Sequence, residues 1–428
     1  MENKRIRFAA LLCAAALCVP MTSCGKKDEE KPAVQIQGTD LSKDIQPQNV
    51  NGMEISETFC EGQTAFALNL MQQSMKENRS NVLVSPYSIV QALGMTANGA
   101  KGETLAQMEQ TIGGVPVQDL NGYLLTQRKN QPDDEFCRLL TANSVWLRDE
   151  KDRLSVQQSF LQTLTDYYNA EAFKAPFDES TLKDINSWVD KNTEHMIPQI
   201  LDEIKEETVM YLINAVTFDG KWAVKYDTEP CDYEFTSSDG RIQTAQMMFS
   251  DESRYLSDDH AEGFLKYYQG GKYAFAALMP EENLSVYDYT ASLTPASLRS
   301  VLKNAENTTV TAGLPQFSYD YGAELSETLK AMGMTAAFDP EAADLSAMGT
   351  SANGNMYIGR VIHKTHIDVD TEGTKAAAAT VVEVNDECAA EDPVERKTVI
   401  LDRPFLYMIL DTENNLPVFM GILTEIPQ

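Results

Sequence analysis

Residues 367–388, IDVDTEGTKAAAATVVEVNDEC, constrain this chain more than any other stretch. From Thr374 onward they alternate. Thr374, Ala376, Ala378, Thr380, Val382 and Val384 share one strand face and carry no charge. Lys375, Ala377, Ala379, Val381, Glu383 and Asn385 share the other, which holds both charges. The uncharged face begins with small side chains, which suits a tight slot. Alanine nonetheless favours helix over strand, so the segment can be a strand without being obliged to be one. Gly373 supplies a pivot ahead of it, and Asp386 ends the alternation near residue 385.

The rest of the chain reads as alternating helices and strands. Helices are expected over 57–76, near 119–129, and over 155–168, 181–197 and 295–304. NVLVSPYSIV (81–90) is a short strand, a Ser-Pro stop and a helix start at Ser85–Ser88. A helix then ends at Gly99 and another opens at Gly102. Strands are expected over 139–147 and 208–217, the latter continuing to Trp222, with short ones through 233–280. The 208–217 run is apolar on both faces and belongs in a sheet covered on both sides. Asn214 within it is a buried amide that must find partners. RPFLYMIL (403–410) and PVFMGIL (417–423) read as two buried strands.

These motifs together resemble the serpins. The family hinge reads Glu-x-Gly-Thr-(Glu/Lys)-Ala-Ala-x-Ala-Thr, and Gly373, Thr374, Lys375, Ala376, Ala377, Ala378, Ala379 and Thr380 match it residue by residue. The usual acidic residue two before the glycine is Thr371 here, with Glu372 beside it. Further matches are NVLVSPYSI, the GAKGET junction, INSWVDKNT leading to Ile197-Pro198, and NAVTFDGKW, where Asp219 replaces a basic residue. LPQF to SAM (314–348) and the closing RPFLYMIL…PVFMGIL complete a resemblance running from about Ser56 to the end.

The resemblance implies an α+β serpin fold: a large mixed central sheet, about nine helices, further sheets and an exposed reactive-centre loop over about 371–398, all in one domain, 54–428. It implies an inhibitor that traps a serine or cysteine endopeptidase as a covalent acyl-enzyme while the cut loop inserts into the central sheet. About a dozen inserted residues, each gaining roughly 0.5–1.5 kcal/mol of net hydrogen bonding, would release on the order of 10–20 kcal/mol. The alternative is a non-inhibitory surface binding protein on the same scaffold. By resemblance Ser85, Ser88, Asn214 and His363 form a shutter under the central strands, and Trp222 lies at the breach where the loop enters. Counting fourteen residues past Gly373 puts the scissile bond at Glu387, followed by Cys388, with Ala389 and Ala390 as neighbouring candidates. Glu383, Asp386, Glu387, Glu391 and Asp392 make the loop acidic, which disfavours trypsin-like targets.

Residues 1–23 read as a secretory signal, with Lys4, Arg5 and Arg7 ahead of an apolar run from Phe8 to Val19 that is short for a bilayer span. Met21-Thr22-Ser23-Cys24 resembles a bacterial lipobox, so acylation of Cys24 is expected; an ordinary signal peptide is the alternative. Gly25–Glu30 resembles the export tag of Bacteroidetes surface lipoproteins. Export from a bacterium and a lipid anchor at the outer membrane or cell surface follow as expectations. Residues 24–53 are polar, contain Pro32 and Pro47, and are expected to be a flexible tether.

A net charge of −29 argues against nucleic acid or heparin as partners; a monomer is expected. GxSxG, HExxH and Walker motifs are missing from the sequence, so no enzyme is expected. Nor is a cofactor or metal: there are four histidines, and His363 and His366, three apart on a strand, face opposite ways. Of seven cysteines, Cys13 and Cys18 lie in the signal. Cys60, Cys137, Cys231 and Cys388 permit a disulfide without specifying one.

Overall fold

Strand β6 (Met210–Lys221) is buried at nearly every position, and the first sheet is laid out around it. Its side chains alternate between two apolar clusters. Leu212 and Val216 join the main core, while Tyr211, Ile213 and Ala215 join a second core with Trp146, Phe173, Ile185, Trp188 and Val189. That is why the sequence here is apolar without a period. The structure is a computed structural model and describes residues 36–77, 79–148, 154–205, 208, 210–352, 355–374 and 396–427.

The first sheet has seven strands in the order β1 (Thr39–Asp40), β5 (Glu171–Ala175), β3 (Cys137–Arg148), β6, β15 (Gly373–Thr374), β14 (Ile362–Val369) and β12 (Phe317–Glu324). It is mixed: β3 is parallel to β5 and antiparallel to β6. The second sheet runs β16 (Lys397–Ile400), β11 (Glu306–Pro315), β8 (Ile242–Ser257), β9 (Ala261–Tyr267), β10 (Tyr273–Pro280), β17 (Phe405–Asp411), β18 (Leu416–Leu423) and β2 (Val82–Val84), with β7 (Cys231–Thr236) on β8. A small ladder joins β4 (Leu154–Val156) to β13 (Gly349–Ser351).

Nine α-helices lie among the described residues: α1 (Glu57–Glu77), α2 (Pro86–Ala97), α3 (Gly102–Thr111), α4 (Val117–Lys129), α5 (Gln158–Thr163), α6 (Glu179–Asn192), α7 (Val286–Ser292), α8 (Pro295–Lys303) and α9 (Ser326–Ala331). Helix α2 is buried along its whole length and packs on both β6 and β18, so it lies between the sheets. Local chemistry fixes where it starts. The Ser85 hydroxyl accepts from Ser88 N–H at 3.3 Å, and Pro86 occupies the first helical position, where no N–H is needed. Thr294 and Ser297 cap α8 reciprocally in the same way.

Two expected helices are shorter than the sequence suggests. Over 155–168, Ser155 and Val156 are taken into the ladder with β13. Helix α5 then ends in a widened π turn, closed by Asn169 in the left-handed region. Over 181–197, α6 stops at Asn192 because Glu194 and His195 take positive φ, 50° and 65°. The Thr193 hydroxyl accepts from Ile197 N–H at 3.1 Å and closes that turn.

The expected flexible tether, 24–53, is fixed over its described part. Thr39 and Asp40 add a strand to the edge of β5. Asp184, on α6 and buried, accepts from the N–H groups of Gln37 and Gly38 at 2.9 and 3.1 Å. Asp166 accepts from Gln48 N–H at 2.7 Å, and Met53 N–H donates to Gly122 O at 3.0 Å. An open sheet edge and two buried carboxylates offer a polar segment the partners it would otherwise find in water. Asp184→Ala orphans two donors and is expected to cost about 1–3 kcal/mol. It should lower the denaturant midpoint and speed amide exchange at Gln37 and Gly38; unchanged exchange there would refute the docking.

Candidate functional site

The described chain enters and leaves residues 375–395 through well-defined ends. After β14 the backbone turns at 370–372, where Asp370 Oδ1 accepts from the N–H groups of Glu372 and Gly373 at 2.8 and 3.0 Å. Strand β15 then fits between β6 and β14, antiparallel to both: Thr374 lies opposite Gly220 on one side and Val369 on the other. Closeness requires Gly373, because a Cβ there would lie 2.0 Å from Gly220 O. Thr374 is 2% exposed, and its hydroxyl meets Tyr268 OH at 2.5 Å. Burial pushes the Tyr268 phenol well above its ordinary pKa, so at neutral pH it can donate to the threonine. Lys375, Ala376–Ala379, Thr380, Glu387, Cys388, Ala389 and Ala390 lie outside the described residues, as does Cys24.

Trp222 lies directly beside this entry. It is fully buried and stacks on Tyr268 with centroids 4.6 Å apart. Its indole N–H donates to Asp370 O at 2.8 Å, and its backbone N–H to Glu372 O at 2.9 Å. Glu372, next to the position where the hinge motif has an acid, pairs with Lys225 at 2.9 Å. Nothing in the sequence singled out Tyr268 or Lys225; each sits among ordinary strand and loop residues.

Ser85, Ser88, Asn214 and His363 are brought together from three elements under the first sheet. Ser85 N–H donates to His363 Nε2 at 3.1 Å, and Ser85 Oγ donates to Val418 O at 2.8 Å. Ser88 Oγ donates to the Asn214 carbonyl, and the Asn214 amide donates to Asn143 Oδ1. Asn143 in turn donates to Gln91 Oε1 at 2.8 Å and to Tyr168 O at 3.3 Å. No sequence motif marks Asn143 or Gln91. The usable signal was the lone amide in LLTANSVWL, which matches Asn214 in its own apolar strand. A small cavity between β6 and β14, lined by Ser88, Leu212, Asn214, Ile362 and His363, opens onto this network. Elsewhere, Cys60, Cys137 and Cys231 are free thiols, the first two buried. Burial pushes Cys137 up to about 12.

Comparison with known proteins gives one answer. Residues 61–426 match the family model described as Serpin (serine protease inhibitor). Human Serpin B8 is 31% identical over 377 residues, 85% of this chain and 98% of its own. The crystal structure of the thermophilic serpin tengpin in its native state is 43% identical, covers 91% of this chain and all of its own, and superposes with a TM-score of 0.86. Tengpin in its latent state, 40% identical and covering 88% of this chain and all of its own, gives 0.77.

His363 is 2% exposed, and burial pushes its pKa from 6.5 down to about 4. With Nε2 accepting from Ser85, the neutral ring carries its hydrogen on Nδ1. The unfolded chain binds this proton near pH 6.5, and the folded one only near pH 4. The contribution of His363 to stability is therefore complete above about pH 6.5 and is lost as pH drops towards 4, about 3 kcal/mol in all. Unfolding free energies measured from pH 7 to 4 should fall more steeply for the wild type than for His363→Asn; equal slopes would remove His363 as the cause.

Proposed function

The chain belongs to the serpin family, and from that premise we propose that it inhibits a serine or cysteine endopeptidase by inserting its cut loop between β6 and β14. The family is one of serine protease inhibitors. The mechanism assigned here rests chiefly on strand β15. This two-residue strand pairs on both flanks, and among the described residues no ladder joins β6 directly to β14. A chain continuing from Thr374 steps back one residue on each neighbour for every residue it advances. Six residues on, an inserted Thr380 would face Asn214 on β6 and His363 on β14. Its side chain would fall on the same side as Thr374, as would those of Ala376 and Ala378. The small uncharged face thus enters the core side of the sheet, and a hydroxyl arrives where the network has to open.

In this reading the target's nucleophile attacks near Glu387 and forms an acyl-enzyme. Cleavage releases the loop, insertion adds ladder bonds on two sides, and the tethered enzyme is dragged away. Hydrolysis of the acyl bond needs an intact oxyanion hole, so distortion of the target stalls it. The better superposition on the native than on the latent state of tengpin supports a starting form that has not inserted its loop.

Incubation with glutamate-specific and elastase-like proteases is expected to give an SDS-resistant complex, with a released carboxyl-terminal fragment starting within 386–391. Cleavage without complex would favour the non-inhibitory surface binding protein instead. Thr374→Arg buries a charge beside Tyr268, at a cost of several kcal/mol, and should turn inhibitor into substrate; an unchanged stoichiometry of inhibition would sink this insertion phase.

For location, the lipobox-like Met21–Cys24 supports a bacterial lipoprotein held by a lipid on Cys24. Cys24→Ala should release the protein from the membrane fraction. Failure of the wild-type chain to incorporate labelled fatty acid would rule the anchor out.

A further inference from the structure

Both ends of the loop are tied to three consecutive residues of β8. On the far side, Arg396, immediately before β16, donates to Asp251 Oδ1 and to Thr311 Oγ1, each at 3.1 Å. Thr311 itself donates to Asp251 at 3.2 Å. On the near side the tie is indirect and buried. Lys266 of β9 is 1% exposed. Its ammonium donates to Glu252 Oε1 at 2.8 Å, Val224 O at 3.2 Å and Ser250 Oγ at 3.4 Å. It also lies 4.2 Å from the Tyr226 ring centroid and 5.3 Å from that of Trp222. Segment 222–226 is the one that grips the hinge, through Trp222 on Asp370 and Glu372 and through Lys225 on Glu372. Asp251 and Glu252 are neighbours on a strand and so face opposite ways: one serves the exposed far end, the other the buried near end.

We propose that Asp251 and Glu252 form a two-sided clamp on the uncut loop, with Lys266 as the positioning residue that carries the hold of Glu252 to the hinge. The inference rests on the inhibitor reading and adds the control of its timing. An uncut loop can insert deeply only if the hinge opens past Thr374 and β16 also leaves the edge of β11, since the inserted strand must run down the sheet while β16 is held beside β11. After cleavage the far end no longer matters. Asp251 therefore restrains the intact chain alone, whereas Lys266 restrains both forms. Removing a charge from a buried pair leaves its partner uncompensated, so the effect of Lys266 should be the larger.

The test follows spontaneous conversion of full-length protein, without any target protease, at a fixed temperature below unfolding. Two readings are taken over time: the fraction of chains whose loop resists a broad-specificity protease, and the fraction with a raised unfolding midpoint. Lys266→Met should convert about tenfold faster than wild type or more, a factor equivalent to about 1.4 kcal/mol or above. Asp251→Ala should convert several-fold faster, yet keep the wild-type stoichiometry of inhibition. Lys266→Met/Glu252→Gln removes both charges and should also convert faster, which covers the case in which the single variant does not fold. Arg299→Met removes a different buried cation, whose partner Glu57 on α1, 2.9 Å away, is exposed, and should convert at the wild-type rate. Wild-type conversion in Asp251→Ala or in the Lys266 variants, or equal acceleration by Arg299→Met, would overturn the clamp. Absence of protease complexes with a working clamp would instead overturn the inhibitor reading alone.

Discussion

Two residues, Gly373 and Thr374, are hydrogen-bonded on both flanks and commit the end of β14 to a slot between strands that run parallel to each other. The geometry leaves little tolerance. No side chain fits at 373 against Gly220 O, and the buried Thr374 hydroxyl is bonded to Tyr268. Trp222 closes the turn from above, with both of its N–H groups spent on backbone carbonyls of 370–372. On the proposed mechanism, these two residues are where an inserted strand would begin.

Beneath that slot the core is polar where it could have been apolar. Hydrophobic side chains slide past one another at modest cost, whereas a hydrogen-bonded network has to break before it moves. Ser85, Ser88, Asn143, Asn214 and His363 bond in one discrete arrangement. Any strand arriving there meets a barrier as well as a change in energy. A neutral imidazole suits this role: it accepts from Ser85, and protonation would turn the acceptor into a donor facing another donor.

The sequence disclosed the elements that obey a local rule. Strand β6 was visible as an uninterrupted apolar run, and the start of α2 as a Ser-Pro cap. The four polar residues under the sheet could be grouped only through the family resemblance, since nothing local says that positions 85 and 363 meet. What stayed hidden depends on contacts without a pattern. Residues 36–53 look like linker because their backbone N–H groups find carboxylates more than a hundred positions away. Helix α6 looks longer because no glycine announces the left-handed turn at Glu194 and His195. Nothing local tells that the neighbours of Gly373 leave it no space for a side chain.

The fixed path of residues 36–53 also sets a distance. Were all of 24–53 slack, a lipid on Cys24 would let the body range about 100 Å from the bilayer at full extension. With Gln37 held by Asp184, the proposed lipid on Cys24 would lie no more than about 45 Å of extended chain from that tie. Such a molecule would work close to its own envelope. It would meet enzymes that reach the cell surface, not those a body-length beyond it.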